Sequence, residues 1–177
     1  MPDPGQPELC YISHELFVAD VQAVGDQLDS EGWRPDFLVG IGRGGLVPAA
    51  YLSHRTAIPM LSVDHSSGEP GFGDDLLAKL AAKLRAGRRL LIVDDINDSG
   101  GTIAYLREAI EERSGADADR LRIAVLVSNI RSIARVEYHS RLIDRSVDKR
   151  WFVFPWEAMA PAAALVEDAV AVPERLA

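Results

Sequence analysis

A chain of 177 residues, 47% hydrophobic and 26% charged, has the composition of one globular domain with a real core, which excludes the disordered and fibrous classes. Nineteen basic against 27 acidic residues give a net charge of −8, a balance that repels nucleic-acid backbones and anionic lipid surfaces. Any polyanionic ligand must then be held locally, by backbone amides, a few arginines or a metal. The single cysteine, Cys10, excludes an internal disulfide and a cysteine-based zinc site and suits a reducing compartment. The opening MPDPGQPELC has no basic or apolar region of a signal peptide, and no apolar run reaches the roughly 20 residues of a membrane span. A soluble, cytoplasmic protein is expected.

Three prolines and a glycine within residues 1–9 predict an irregular N-terminal arm, taken to residue 12. Ser13 reads as a helix N-cap, with Ile12 and Phe17 at the positions of a hydrophobic staple. Phe17, Val21, Val24 and Leu28 continue one apolar helical face, which stops near Gly32. Apolar and amphipathic segments then alternate: a strand over Phe37–Ile41, a glycine turn, an amphipathic stretch over Leu46–His54 and a strand over Met60–Val63. A loop rich in Ser, Gly, Pro and Asp covers Asp64–Asp75, followed by a helix over Leu76–Arg85 and a strand over Leu90–Val93. A second glycine turn leads into a helix over Thr102–Arg113 and a strand over Ile123–Val127. Short apolar strands alternating with helices predict the α/β class, an open parallel sheet flanked by helices. Beyond Arg135 the segments shorten, among them WFVFPWE and a final Ala-rich helix; they are expected to flank the sheet rather than extend it. Residues 1–177 read as one domain.

Ligands of open α/β sheets bind beyond the carboxyl ends of the strands, and both glycine turns lie there. In LLIVDDINDSGGTI the apolar strand runs into Asp94 and Asp95, then into Asp98-Ser99-Gly100-Gly101-Thr102 at the start of a helix. Small residues let backbone N–H groups converge on a phosphate, and the Ser99 and Thr102 hydroxyls add donors at the positive end of the helix dipole. Carboxylates repel phosphate but accept hydrogen bonds from a sugar diol or coordinate Mg²⁺. The combination points to a sugar phosphate, and the missing GK[ST] ending disfavours a nucleoside triphosphatase. The other turn, GIGRGGLVPAA, offers two readings. Gly40, Gly42 and Gly45 satisfy the dinucleotide-binding G-x-G-x-x-G, with Asp64 near the distance of a ribose-binding acid. Alternatively, Arg43-Gly44-Gly45 resembles an anion loop in which backbone amides and a basic side chain hold pyrophosphate.

Val93 to Thr102 resembles the phosphoribosyl pyrophosphate (PRPP) motif of type I phosphoribosyltransferases: a hydrophobic strand, two acidic residues, two variable positions, then Asp-Thr/Ser-Gly-X-Thr. The resemblance runs from Ser13 to Glu157 and is strongest with the short purine enzymes of xanthine-guanine type. It implies transfer of a phosphoribosyl group from PRPP to a purine with release of pyrophosphate, in purine salvage, by a homodimer using Mg²⁺. It further implies that Asp94 and Asp95 hold the ribose hydroxyls and Ser99, Gly100, Gly101 and Thr102 the phosphate. Gly42, Arg43 and Gly44 would hold pyrophosphate across a cis Gly42–Arg43 bond. Asp98 would be general base or hydrogen-bond acceptor at purine N7, and Asp95 and Glu157 would face the metal. Residues from about 136 to 177 would form a base-pocket hood and a C-terminal helix. Within it Trp151 would stack on the base, and the Phe152 backbone would read its exocyclic groups; Trp156 is assigned to the core. Asp64–Asp75 would close as a lid.

The chain departs from the 6-oxopurine pattern at one point, because Ser128-Asn129-Ile130-Arg131 stands where those enzymes carry a lysine toward the purine oxygen. Asn129, or Arg131 if turned inward, is the expected replacement. A PRPP-sensing regulator without catalysis is the alternative from another class, and an NAD-binding Rossmann enzyme a third. His14, His54, His65 and His139 have no metal spacing, and Ser128 lacks a nucleophile elbow.

Overall fold

The computed structural model describes residues 7–63, 72–115 and 118–171. Its elements in chain order are β1 (Leu9–Tyr11), α1 (His14–Glu31), β2 (Phe37–Ile41), α2 (Gly42–Thr56), β3 (Met60–Val63), α3 (Phe72–Arg85), β4 (Leu90–Asn97), α4 (Gly101–Ser114), β5 (Leu121–Asn129), β6 (Tyr138–Ile143), β7 (Trp151–Val153) and α5 (Ala162–Val170). Five parallel strands form the main sheet in the order β3-β2-β4-β5-β6. The connection β2-α2-β3 leads to one side and β4-α4-β5 to the other, so the sheet reverses direction between β2 and β4. That crevice is the topological switch point where open α/β sheets bind ligands.

Strand alternation divides the core into two layers. Leu38, Leu91 and Val93 point to one face, packed in a cluster with Phe17, Val21 and Val24 of α1 and Ala49 and Leu52 of α2. Val39, Ile41, Leu90 and Ile92 point to the other, in a cluster with Leu77, Leu80 and Leu84 of α3 and Ile103, Leu106 and Ile110 of α4. Helix α1 starts as its sequence predicts: the Leu16 amide donates to Ser13 Oγ at 3.1 Å, Ile12 and Phe17 are buried, and Gly32 caps the end at φ 74°.

Four expectations are corrected. Residues 9–11 are a strand rather than irregular, paired in parallel with β7 from Leu9↔Trp151 to Tyr11↔Val153. Residues 138–143 extend the main sheet as its edge, because Gln27 of α1 satisfies the open backbone of His139, donating to its carbonyl at 2.8 Å and accepting from its amide at 3.3 Å. Helix α2 begins at Gly42 rather than Leu46, so the first glycine turn is itself the first helical turn. Finally, no cis peptide occurs among the described residues, and the Gly42–Arg43 bond is trans. Residues 64–71, which hold most of the expected lid together with Asp64 and His65, lie outside the described residues; Asp74 and Asp75 open α3.

Candidate active site

The glycines at the switch point serve close approach. Gly42, at φ 54°, turns the chain from β2 into α2. A Cβ on Gly45 would sit 2.1 Å from the Val93 carbonyl oxygen, and one on Gly44 would sit 2.6 Å from Asp95 Oδ2. The first turn of α2 therefore lies directly on the acidic end of β4, and the two glycine loops form one site. Across the crevice Gly100, at φ 88°, precedes α4, where a Cβ would strike Ser132 Oγ and the Ala134 amide. Buried Asn97 anchors that buttress: it accepts from Ser132 Oγ at 2.6 Å and donates to Ser128 Oγ at 3.1 Å and the Ala134 carbonyl at 3.0 Å.

Neither α2 nor α4 has a side-chain cap, in contrast to α1. Apart from the Gly101 amide, which makes a long 3.4 Å bond to Ser99 Oγ, their first-turn amides lack a side-chain cap, and both helix dipoles point positive ends into the crevice. Ser99, Gly101 and Thr102 are exposed at the start of α4, and Arg43 is exposed at the start of α2. Two such helix starts can hold two anions, and the carboxylates lie between them.

The carboxylates are held at a cost. Asp94 accepts the Asp95 amide at 3.0 Å, and burial pushes its carboxyl up to about 7. Burial also raises Asp95 well above the usual carboxylate range, and the charges of Asp94 and Glu157 add to the shift. Half-buried Glu157 accepts the Phe154 amide at 2.9 Å; burial raises it, with a counteracting pull from Arg43. Asp95, Glu157 and Arg43 therefore share one neighbourhood, although no cluster of three metal-ligating side chains occurs among the described residues. Asp95 and Glu157 are the carboxylates that could hold a Mg²⁺, an ion that commonly takes its remaining ligands from a bound substrate and water.

On the side expected to take the base, the bonds flanking the β1–β7 pairing are made by the Trp151 amide to the Glu8 carbonyl at 2.8 Å and by the Ile12 amide to the Val153 carbonyl at 2.9 Å. By alternation the Phe152 N–H and C=O face away from β1. Trp156 is partly buried against the core, stacked on Phe154 at 5.0 Å and edge-on to Phe17 at 5.3 Å.

Asn129 and Arg131 do not take the positions expected of them. The Asn129 amide donates to the Asp98 carbonyl at 3.1 Å, and its oxygen accepts the amides of Arg131 and Arg145, each at 3.2 Å. Arg131 is 60% exposed and paired with Asp144 at 2.6 Å. The cation beside Asp98 is Arg145, which sequence reasoning missed: its Nε lies 2.9 and 3.1 Å from the two carboxylate oxygens, and its Nη2 lies 2.9 Å from Oδ2. It stands in IDRSVDKR, a charged run that reads as surface and carries no motif.

The dinucleotide reading of the first turn fails on topology. After its first two strands a Rossmann sheet continues on the same side, whereas β4 lies on the opposite side of β2 from β3.

The chain is similar to known proteins over most of its length. The xanthine-guanine phosphoribosyltransferase of Idiomarina loihiensis is 29% identical over 150 residues, covering 81% of this chain and 83% of that protein. The adenine phosphoribosyltransferase of Synechococcus sp. is 27% identical over 130 residues, covering 65% and 74%. The crystal structure of a purine phosphoribosyltransferase from Pyrococcus horikoshii shares the fold, with a TM-score of 0.60 at 24% identity over 84% of this chain and 93% of the other. Residues 11–161 match the phosphoribosyl transferase domain. Since that match takes in every strand of the main sheet and both loops of the crevice, the chain belongs to the phosphoribosyl transferase domain family.

Proposed function

We propose that the protein transfers a phosphoribosyl group from PRPP to a purine base, a 6-oxopurine by preference, giving a nucleoside 5′-monophosphate and pyrophosphate in purine salvage. The observation that carries this reading is the contact of Gly44 with Asp95, which brings two uncapped helix starts to either side of one carboxylate pair. A ribose esterified by phosphate at one end and pyrophosphate at the other has that charge pattern. The names of the relatives, xanthine-guanine and adenine phosphoribosyltransferase, support a purine acceptor.

In this reading Ser99, Gly100, Gly101 and Thr102 bind the 5′-phosphate, and Asp94 and Asp95 accept from the ribose hydroxyls. Arg43, with the backbone of Gly42 and Gly44, binds the pyrophosphate. Trp151 stacks on the base, and the outward Phe152 backbone reads its edge. Asp98 accepts the N–H at purine N7 as positive charge develops on the ribose, and the rate comes mainly from positioning. Mg²⁺ held by Asp95 and Glu157 would neutralise part of the leaving-group charge. The acting form is taken to be a cytoplasmic homodimer, which sedimentation would check; no helix among the described residues is long and apolar enough to cross a membrane.

Pyrophosphate release from PRPP and Mg²⁺ across guanine, hypoxanthine, xanthine, adenine and orotate tests the proposal. Turnover with the 6-oxopurines supports it, and preference for adenine or orotate overturns the base assignment. The Asp98–Arg145 pair favours a second reading, because a carboxylate already held by a guanidinium fork can serve structure without chemistry: a regulator that senses PRPP. Stoichiometric PRPP binding without pyrophosphate from any base would establish that reading.

A further inference from the structure

Arg145 is 5% exposed, on a short segment between β6 and β7 that is otherwise polar apart from exposed Val147. Besides its bonds to the Asp98 carboxylate, its Nη1 donates to the carbonyls of Asp148 at 3.1 Å and Arg150 at 2.6 Å, and its guanidinium lies 4.9 Å from the centre of the Phe152 ring. The Arg145 amide bonds Asn129, whose amide returns to the Asp98 carbonyl, so Asp98, Asn129 and Arg145 close a ring of hydrogen bonds. The neighbouring charges are paired elsewhere, Arg131 with Asp144 and Arg150 with Asp148. The Arg145–Asp98 pair is therefore a dedicated one. Its two ends belong to different parts of the site: Asp98 opens the phosphate loop, and Phe152 lies on the strand assigned to the base.

A buried ion pair is a poor way to gain stability, since apolar side chains of similar volume do as well. It is an effective way to fix the direction of a carboxylate, because the guanidinium fork permits one geometry. A carboxylate has about four lone-pair sites, so three close contacts with Arg145 leave capacity for a further donor.

Resting on the transfer reaction proposed above, we infer that Arg145 is a positioning residue: it orients the Asp98 carboxylate toward the incoming base and ties the phosphate loop to the base strand. Arg145 touches neither PRPP nor base in this scheme. The loss of its fork rotates or displaces Asp98, and misplacement by about 1 Å costs a reaction of this kind about 10²-fold.

The test compares pyrophosphate release by wild-type protein, Arg145→Gln, Arg145→Lys, Asp98→Asn and the Asp98→Asn/Arg145→Gln double variant. Arg145→Gln should lower kcat about 10²-fold with the KM for PRPP within about threefold of wild type, and Arg145→Lys should recover part of that loss. The double variant should be no slower than the slower single one, because the residues act as a unit. Wild-type kcat in folded Arg145→Gln, or a rise in the PRPP KM with kcat unchanged, overturns the inference. If circular dichroism shows Arg145→Gln unfolded, Arg145→Lys carries the test: a lowered kcat at constant KM supports positioning, and wild-type kinetics refute it. A wild-type protein that releases no pyrophosphate with any base instead defeats the transfer reading itself.

Discussion

Gly44 and Gly45 are adjacent, yet they are glycine for different reasons. An alanine Cβ at 44 would meet the end of the Asp95 side chain, which can swing aside, whereas one at 45 would meet the fixed backbone of Val93. Gly44→Ala should therefore leave the melting temperature within a few degrees but cost transfer about 10²-fold through displacement of the carboxylate. Gly45→Ala should lower the melting temperature itself; calorimetry beside a turnover assay separates the two. Asp98→Asn keeps size and loses basicity, so turnover should fall by roughly 10² to 10⁴ while PRPP affinity by titration calorimetry stays near wild type. Arg43→Ala should do the opposite, weakening PRPP binding by about 1.5–3 kcal/mol, the usual value of a charged hydrogen bond. The place of both glycine loops at the carboxyl ends of β2 and β4 was legible because close approach of chain segments restricts residue type over a short stretch. Arg145 was not: its role depends on partners at 98, 129 and 152 that only folding gathers.

Elements whose signals are local were legible, and those whose signals are tertiary were not. The N-cap, staple and terminal glycine of α1 lie within its own sequence, and the structure reproduces them. Ser13→Ala should cost about 1 kcal/mol, read as a lower urea midpoint at unchanged slope. By contrast, YHSRLI has neither an apolar run nor clean alternation, and it becomes an edge strand because α1 covers it. Gln27 answers the His139 backbone, and buried Asp20 accepts from Ser140 Oγ at 2.7 Å and from Arg141 Nε at 3.1 Å. The start of α2 was misplaced for a related reason, since consecutive glycines read as a turn unless the strand they pack against is known.

At the scale of the molecule, the acidic site sets a pH dependence opposite to that of most carboxylates. Asp94 is raised to about 7, and Asp95 and Glu157 are raised as well, so through the range from about 4 to about 7 the folded state binds more protons than the unfolded one. Stability of the ligand-free protein should fall as pH rises through that window. Melting at pH 5 and pH 7.5 in chelator, and again with PRPP and Mg²⁺ at pH 7.5, checks this: the bound complex should recover what the higher pH removes. Asp94→Asn should stabilise the ligand-free protein at pH 7.5 at about 2–4 °C per kcal/mol gained, while abolishing its use of the ribose. The strand pair β1–β7 carries a consequence for biosynthesis. Leu9 is made about 140 residues before its partner Trp151, as their numbers show, so this side of the crevice stays unbuilt while the residues between them are already synthesised. On the proposed reading, the loops assigned to phosphate are complete well before the strand assigned to the acceptor, and every newly made molecule passes through a stage equipped for one substrate but not for the other.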